Sequence, residues 1–155
     1  MTPEKTPRPE ALKPGARMPD GTVFAGFSPD TGEPMYTTPN DEPLRYTFRQ
    51  AQARAAGLDA HGHKDWRVPT RGELRILFGY RAALGGFGPK SGHWSSEPKG
   101  RLTAWYTIFG KHLGNNAGQE FAAFRKVHLA LRCVRTGAPD PEPAQAPKKR
   151  GKLNL

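Results

Sequence analysis

The chain of 155 residues carries 24 Lys and Arg against 14 Asp and Glu, a formal charge of +10, with 18 Gly, 16 Pro and only 35% hydrophobic residues. That length allows one ordinary core and excludes two comfortable ones, and the turn-forming content means that the core does not fill the chain. No apolar run approaches a membrane span, the opening MTPEK holds no secretory h-region, and the single Cys133 excludes an intramolecular disulfide.

The ends read as tails. Residues 1–20 and 137–155 are rich in proline and charge and poor in large apolar side chains, so they cannot bury enough surface to offset the entropy of ordering. The expected organisation is a Pro-rich disordered tail over 1–20, one domain over 21–136 and a flexible basic tail over 137–155. The middle segment holds sixteen basic and nine acidic residues, so most of the charge sits on the folded part.

In chain order, Thr22 to Ser28 and Pro34 to Thr38 are β-type segments around Pro29-Asp30-Thr31-Gly32, whose residues suit a turn; together they predict a hairpin. Thr47 to Leu58 predicts a helix, with Thr47-x-x-Gln50 as a capping box and Phe48, Ala51, Ala55 and Leu58 on one stripe. Thr70-x-x-Glu73 starts a second helix in the same way, with Leu74, Leu77 and Phe78 as its buried face. As a cap alone, Glu73 contributes about 1 kcal/mol. Pro69 holds Val68 extended and stops that helix from growing backward, so Trp66-Arg67-Val68 is a short extended segment ahead of it.

After Ala83 the sequence turns glycine-rich and predicts a loop. His93 to Ser96 and Leu102 to Phe109 read as strands, followed by a long irregular insertion. Val127 to Arg135 alternates, which puts Val127, Leu129, Leu131 and Cys133 on one face of a last strand. Cys133 is then a small core residue and not a nucleophile.

Four pieces in this order, DWRVPT, HWSSE, AWYTIF and LRCVR, resemble the bacterial domain at the end of the Legionella collagen-like adhesin. That domain is related in turn to the formylglycine-generating-enzyme version of the C-type-lectin-like fold. The resemblance covers roughly 21–136. It implies an α+β, C-type-lectin-like fold, with two helices flanking a small twisted antiparallel sheet, first and last strands paired, and long irregular loops presenting the ligand surface. It also implies that Trp66 and Trp94 are framework residues of the core, as the large buried area of aromatics would require. Similar folds serve as variable proteins of bacterial or phage diversity-generating retroelements and as adhesin-like binding modules.

Enzymatic relatives of this fold that generate formylglycine need a pair of cysteines, and here Cys133 stands alone. A metal site would have to join His61 and His63 to His93, His112 or His128, yet His61-Gly62-His63 lies in a glycine-containing loop with nothing in the sequence to bring a third imidazole near. The later loops lack the carboxylates of a tight calcium site. The expectation is a module without catalytic residues, metal or cofactor.

The ligand-binding candidates concentrate between 101 and 126, around one β-hairpin-like region: Arg101, Trp105, Tyr106, Lys111, His112, Asn115, Asn116, Gln119, Arg125 and Lys126. Tyr and Trp supply rigid contact area, Asn adaptable hydrogen bonds, and Arg and Lys anchors for an anion. Trp105 and Tyr106 fall on opposite strand faces, so one of them is expected to be buried. The expected partner is a protein or an anionic glycan, with no membrane insertion; the alternative is a charge-driven binder of nucleic acid or another polyanion through the basic surface and the Lys148-Lys149-Arg150-x-Lys152 cluster. Either reading suits a protein of the cytoplasm or of a phage or secreted particle.

Overall fold

The computed structural model describes residues 11–88, 92–110 and 117–137. The elements run β1 (Val23–Phe27), β2 (Pro34–Thr37), α1 (Phe48–Ala56), α2 (Arg71–Gly79), α3 (Arg81–Leu84), β3 (Gly92–Lys99), β4 (Thr103–Ile108), β5 (Glu120–Phe124) and β6 (Val134–Thr136). They make a small mixed α/β domain with two three-stranded antiparallel sheets, ordered β1-β2-β6 and β3-β4-β5.

The β1–β2 hairpin forms as the turn chemistry predicts: Ser28 N–H donates to Glu33 O (2.9 Å) and Gly32 N–H to Ser28 O (2.8 Å). Both capping boxes are present, with Thr47 and Gln50 at the start of α1 and Thr70 and Glu73 at the start of α2. The buried residues of α1 are Phe48, Ala51 and Ala55. Trp66-Arg67-Val68 is extended, and Arg67 exchanges both backbone hydrogen bonds with Val134 at 2.9 Å. Pro69 O accepts from Ser96 N–H (2.8 Å), so the same junction ties α2 to the second sheet.

The core has two main parts. One joins α1 to the second sheet through Phe48, Ala51, Ala55, Trp66, Trp94, Ala104, Leu131 and Cys133. The other joins α2 and α3 to the first sheet through Val23, Ala25, Met35, Leu74, Leu77, Leu84 and Val134. Trp66 and Trp94 are buried, and each indole N–H is satisfied by a backbone carbonyl, of Ala60 (3.1 Å) and Tyr46 (2.7 Å). Burying these rings while pairing their one polar atom is what lets so short a domain fill its interior.

Several expectations are corrected. Residues 11–20 are not a tail: Gly15 N–H donates to Phe24 O (2.8 Å), Phe24 N–H to Ala16 O (2.9 Å), and Met18 packs with Phe24 and Tyr36. The domain therefore begins before residue 21. The last strand pairs with β2 and not with the first, and it spans only Val134–Thr136. Ahead of it Leu131, Arg132 and Cys133 are all buried, so the chain there is covered on both faces; Val127, expected inside, is exposed. The supposed irregular insertion contains β5, paired with β4 along its whole length. A third short helix follows α2, and its C-cap is Gly85 in a positive-φ conformation.

Glu73 does more than cap. Its side chain is fully buried and takes a bidentate pair from Arg67 (2.6 and 2.7 Å), a hydrogen bond from Ser28 Oγ (2.6 Å) and one from Thr70 N–H (2.9 Å). Burial pushes its pKa up, but the donors of Arg67, Ser28 and Thr70 outweigh that and hold it below the usual glutamate value.

Candidate ligand-binding surface

The late segment is short of acids. Between residues 98 and 139 Glu120 is the single carboxylate, against Lys99, Arg101, Lys111, Arg125, Lys126, Arg132 and Arg135. Glu120 is already engaged: its two oxygens accept from Arg71 Nε and Arg75 Nε, both at 2.6 Å. Burial raises its pKa and the two guanidinium groups more than reverse this, leaving it lowered.

The β4–β5 ladder ends at Arg125, whose N–H donates to Leu102 O (2.9 Å). Its guanidinium turns back to donate to Gly100 O (2.5 Å) and Thr103 O (3.1 Å), and it lies 5.3 Å from the Phe48 ring. Arg125 thus fastens the β3–β4 turn to the end of β5 and to the start of α1. Around this staple, Leu102 is 70% exposed, Phe124 57% and Val127 38%. A groove of about 360 Å³ is lined by Arg101, Leu102, Phe124, Arg125 and Lys126. Among the described residues no carboxylate pairs with Arg101 or Lys126.

The neighbouring segment adds more positive charge. Phe48 N–H donates to Arg125 O (2.9 Å), and Tyr46 and Leu129 exchange hydrogen bonds at 2.8 Å, so the chain through Arg45 and Arg49 runs beside 125–129. Both of these arginines are exposed. The surface is apolar in its middle and cationic around it, which suits an anionic ligand with an apolar part.

The predicted residues do not all meet there. Arg101, Arg125 and Lys126 come together. Trp105 lies on the opposite face of β4 from the Trp94 core, half-buried between the Arg71 guanidinium (3.8 Å from the ring centroid) and the Lys99 ammonium (5.1 Å). Tyr106 belongs to the framework: it packs on the α1 core, edge-on to Trp94 at 6.4 Å, and a Cβ on Gly92 would come within 2.7 Å of its ring. Gln119 is exposed at the far end of β5, where its carbonyl accepts from Ile108 N–H (3.0 Å). Lys111, His112, Asn115 and Asn116 lie outside the described residues. Leu102 and Phe124 were not singled out in the sequence. Their signal was an apolar side chain next to a cation at each end of a β-hairpin, in Arg101-Leu102 and Phe124-Arg125.

His61, His63 and His93 serve the framework. His63 is buried with Nε2 2.8 Å from Asp20 Oδ2, His61 Nδ1 is 3.2 Å from Asp20 O, and both rings stand edge-on to Trp66. His93 is fully buried, with Nε2 2.7 Å from Asp41 Oδ2. Asp41 also accepts from Gly88 N–H (3.0 Å) and faces the buried Arg132 at 3.4 Å. Burial raises the pKa of Asp41, but His93, Gly88 and Arg132 together bring it below the usual value. Arg132 is itself pushed down to about 10 by burial, and its guanidinium stacks 4.1 Å from the Phe87 ring. His128 is exposed and His112 is not described. Among the described residues no group of three or more His, Cys, Asp or Glu is placed to hold a metal ion, and no helix is long and apolar enough to cross a membrane.

A second groove, of about 420 Å³, runs between residues 40–45 and 86–88 with Asp41 in its lining. Both carboxylate oxygens of Asp41 are already engaged and Glu42 is held by Arg54, so this groove offers no spare carboxylate. Cys133 is buried, and burial pushes its thiol up to about 12, far from thiolate at neutral pH. No protein-family model and no curated protein matches the chain.

Proposed function

We propose that the chain is a non-enzymatic recognition module of C-type-lectin-like fold, and that its ligand is an acidic segment of a partner protein carrying an apolar side chain. The observation that carries this is the groove around Leu102 and Phe124, where exposed apolar area lies among Arg101, Arg125 and Lys126 and, among the described residues, no carboxylate pairs with Arg101 or Lys126. An apolar anchor in a desolvated pocket supplies affinity, and the surrounding cations supply selection for acidic partners and a faster approach. The exposed Leu102 and Phe124 favour a protein over a glycan, because an apolar side chain of a protein buries more apolar area against them than a hydroxyl-covered sugar does.

The fold part of the reading is supported by the buried Trp66 and Trp94, by the capped α2 next to the extended Trp66-Arg67-Val68, and by a last strand that closes against the first hairpin. The non-enzymatic part is supported by the buried, strongly protonated Cys133 and by the histidines committed to Asp20 and Asp41.

Fluorescence polarisation with three labelled probes tests the proposal: a synthetic acidic peptide containing tyrosine and leucine, polyglutamate, and single-stranded DNA. The mixed peptide is expected to bind at physiological salt, and Phe124→Ser or Leu102→Ser to weaken it by about tenfold or more. Both side chains are exposed, so the melting temperature should stay unchanged. If polyglutamate and DNA bind as well as the peptide, moderate salt removes all three and the serine variants are silent, the module works by charge alone and the proposal fails.

A further inference from the structure

We propose that the outer edge of β5 accepts the partner's acidic segment as an added β-strand, an inference that rests on the groove being the ligand surface. The register decides which backbone groups are free. Ile108 N–H donates to Gln119 O and Arg125 N–H to Leu102 O, and the pairing between those two points is regular. In an antiparallel ladder the inward and outward positions alternate. Gln119, Phe121, Ala123 and Arg125 therefore turn their backbone groups toward β4, while Glu120, Ala122 and Phe124 turn theirs away.

Of these outward groups, Phe124 O accepts from Val127 N–H (3.0 Å). The N–H groups of Glu120, Ala122 and Phe124 and the carbonyls of Glu120 and Ala122 have no partner among the described residues. Among the described residues β4 is the one strand that pairs with β5. A row of unsatisfied donors and acceptors is a template for another strand. It runs from Glu120 to the groove at Phe124, so a segment laid along it arrives with its end over Leu102, Arg101 and Lys126.

Charge selects the occupant. An added segment ends over the groove lined by Arg101 and Lys126, and those cations favour a segment that carries carboxylates. The exposed Phe121 and Phe124, three residues apart, lie on opposite faces of β5, and each offers contact to an apolar side chain on its own face of the added strand.

The full chain is to be titrated with a synthetic peptide alternating glutamate with valine and tyrosine, and with the same peptide N-methylated on alternate residues. N-methylation keeps charge and side chains but removes the hydrogen bonds of one edge. The plain peptide should bind and slow hydrogen exchange at the Ala122 and Phe124 amides. The methylated twin should bind about tenfold more weakly, the weight of one or two lost hydrogen bonds. Ala122→Pro should cause the same loss, because its N–H faces outward and proline is tolerated on an edge strand; Ala123→Pro, whose N–H pairs with β4, should instead unfold the hairpin. Should Ala122→Pro fail to fold, the methylated peptide on the unaltered chain still decides the question. Equal binding of the two peptides overturns strand addition and leaves the groove reading intact. Binding of neither peptide overturns both, and binding to phosphatidylserine vesicles with neither peptide captured assigns the surface to lipid instead.

Discussion

Replacing Glu73 by alanine separates a helix cap from a core ion pair. As a cap the carboxylate contributes about 1 kcal/mol, a value that its spacing from Thr70 already suggests. The structure adds the bidentate Arg67, the Ser28 hydroxyl and complete burial of the carboxylate. Breaking a buried pair from one side costs about 3–5 kcal/mol because the remaining charge is left uncompensated. Here the Arg67 side chain is 36% exposed and regains part of its hydration, which lowers the expectation to about 2–4 kcal/mol. Against a total of about 5–15 kcal/mol for a domain, that loss is large. The assay is urea unfolding followed by tryptophan fluorescence, with Glu73→Gln as the companion variant. Glutamine keeps the cap and the volume and should recover roughly half of the loss. A Glu73→Ala loss of 1 kcal/mol or less would mean that the carboxylate only caps, and the argument from Arg67 and Ser28 would be wrong.

Trp66→Ala removes a buried ring from the core around α1 and is expected to lose about 3–5 kcal/mol; a melting temperature equal to wild type would mean that this ring is not part of the framework. Acid should destabilise the chain in a defined window. Glu73 and Asp41 have folded-state pKa values below their ordinary ones, so their contribution is complete above the unfolded carboxylate range of about 4 to 4.5 and is lost as pH falls through the folded values. Urea midpoints should be flat from about pH 7 to 5 and fall below about pH 4, with a shallower fall in Glu73→Gln and Asp41→Asn; a midpoint that stays flat down to about pH 3 would contradict these shifts. Cys133 should resist a thiol reagent at pH 8 in the native chain and react at once in denaturant; rapid native labelling would place it nearer the surface.

What the sequence made legible is local. Thr47 with Gln50 and Thr70 with Glu73 are three residues apart, and a capping box needs nothing from the rest of the chain. The β1–β2 turn is similarly self-contained. Residues 11–20 look like a tail because proline and charge dominate their side chains, yet they dock by backbone hydrogen bonds from Gly15 and to Ala16, which composition does not display. β5 was legible only as part of a β-hairpin-like region between Arg101 and Lys126, without bounds of its own, for a related reason: EFAAF has no clean alternation, since Phe121 and Phe124 are both exposed while the strand is held by its pairing with β4. The second role of Glu73 depends on Ser28, 45 residues away, and the engagement of Arg132 depends on Thr37, Thr38 and Asp41, more than 90 residues away. Only folding brings such partners together.

The same non-local pairing explains where the spare charge ends up. Asp20 faces His63, Glu42 holds Arg54, Asp65 holds Arg135, Glu73 holds Arg67, Glu120 holds Arg71 and Arg75, and Asp41 lies against His93 and Arg132. Each of these carboxylates joins segments of chain that would otherwise be held by packing alone, and none of them pairs with the cations at the end of the β4–β5 ladder. Net charge read from composition is spread evenly over a chain only in the absence of a fold. Here the framework consumes acids in tertiary pairs, while Arg101 and Lys126 stay exposed and line one groove with the exposed Leu102 and Phe124. An exposed apolar side chain on its own is ordinary. In the proposed reading, Leu102 and Phe124, together with Arg101 and Lys126, which pair with no carboxylate among the described residues, would bring apolar contact and charge to the same ligand.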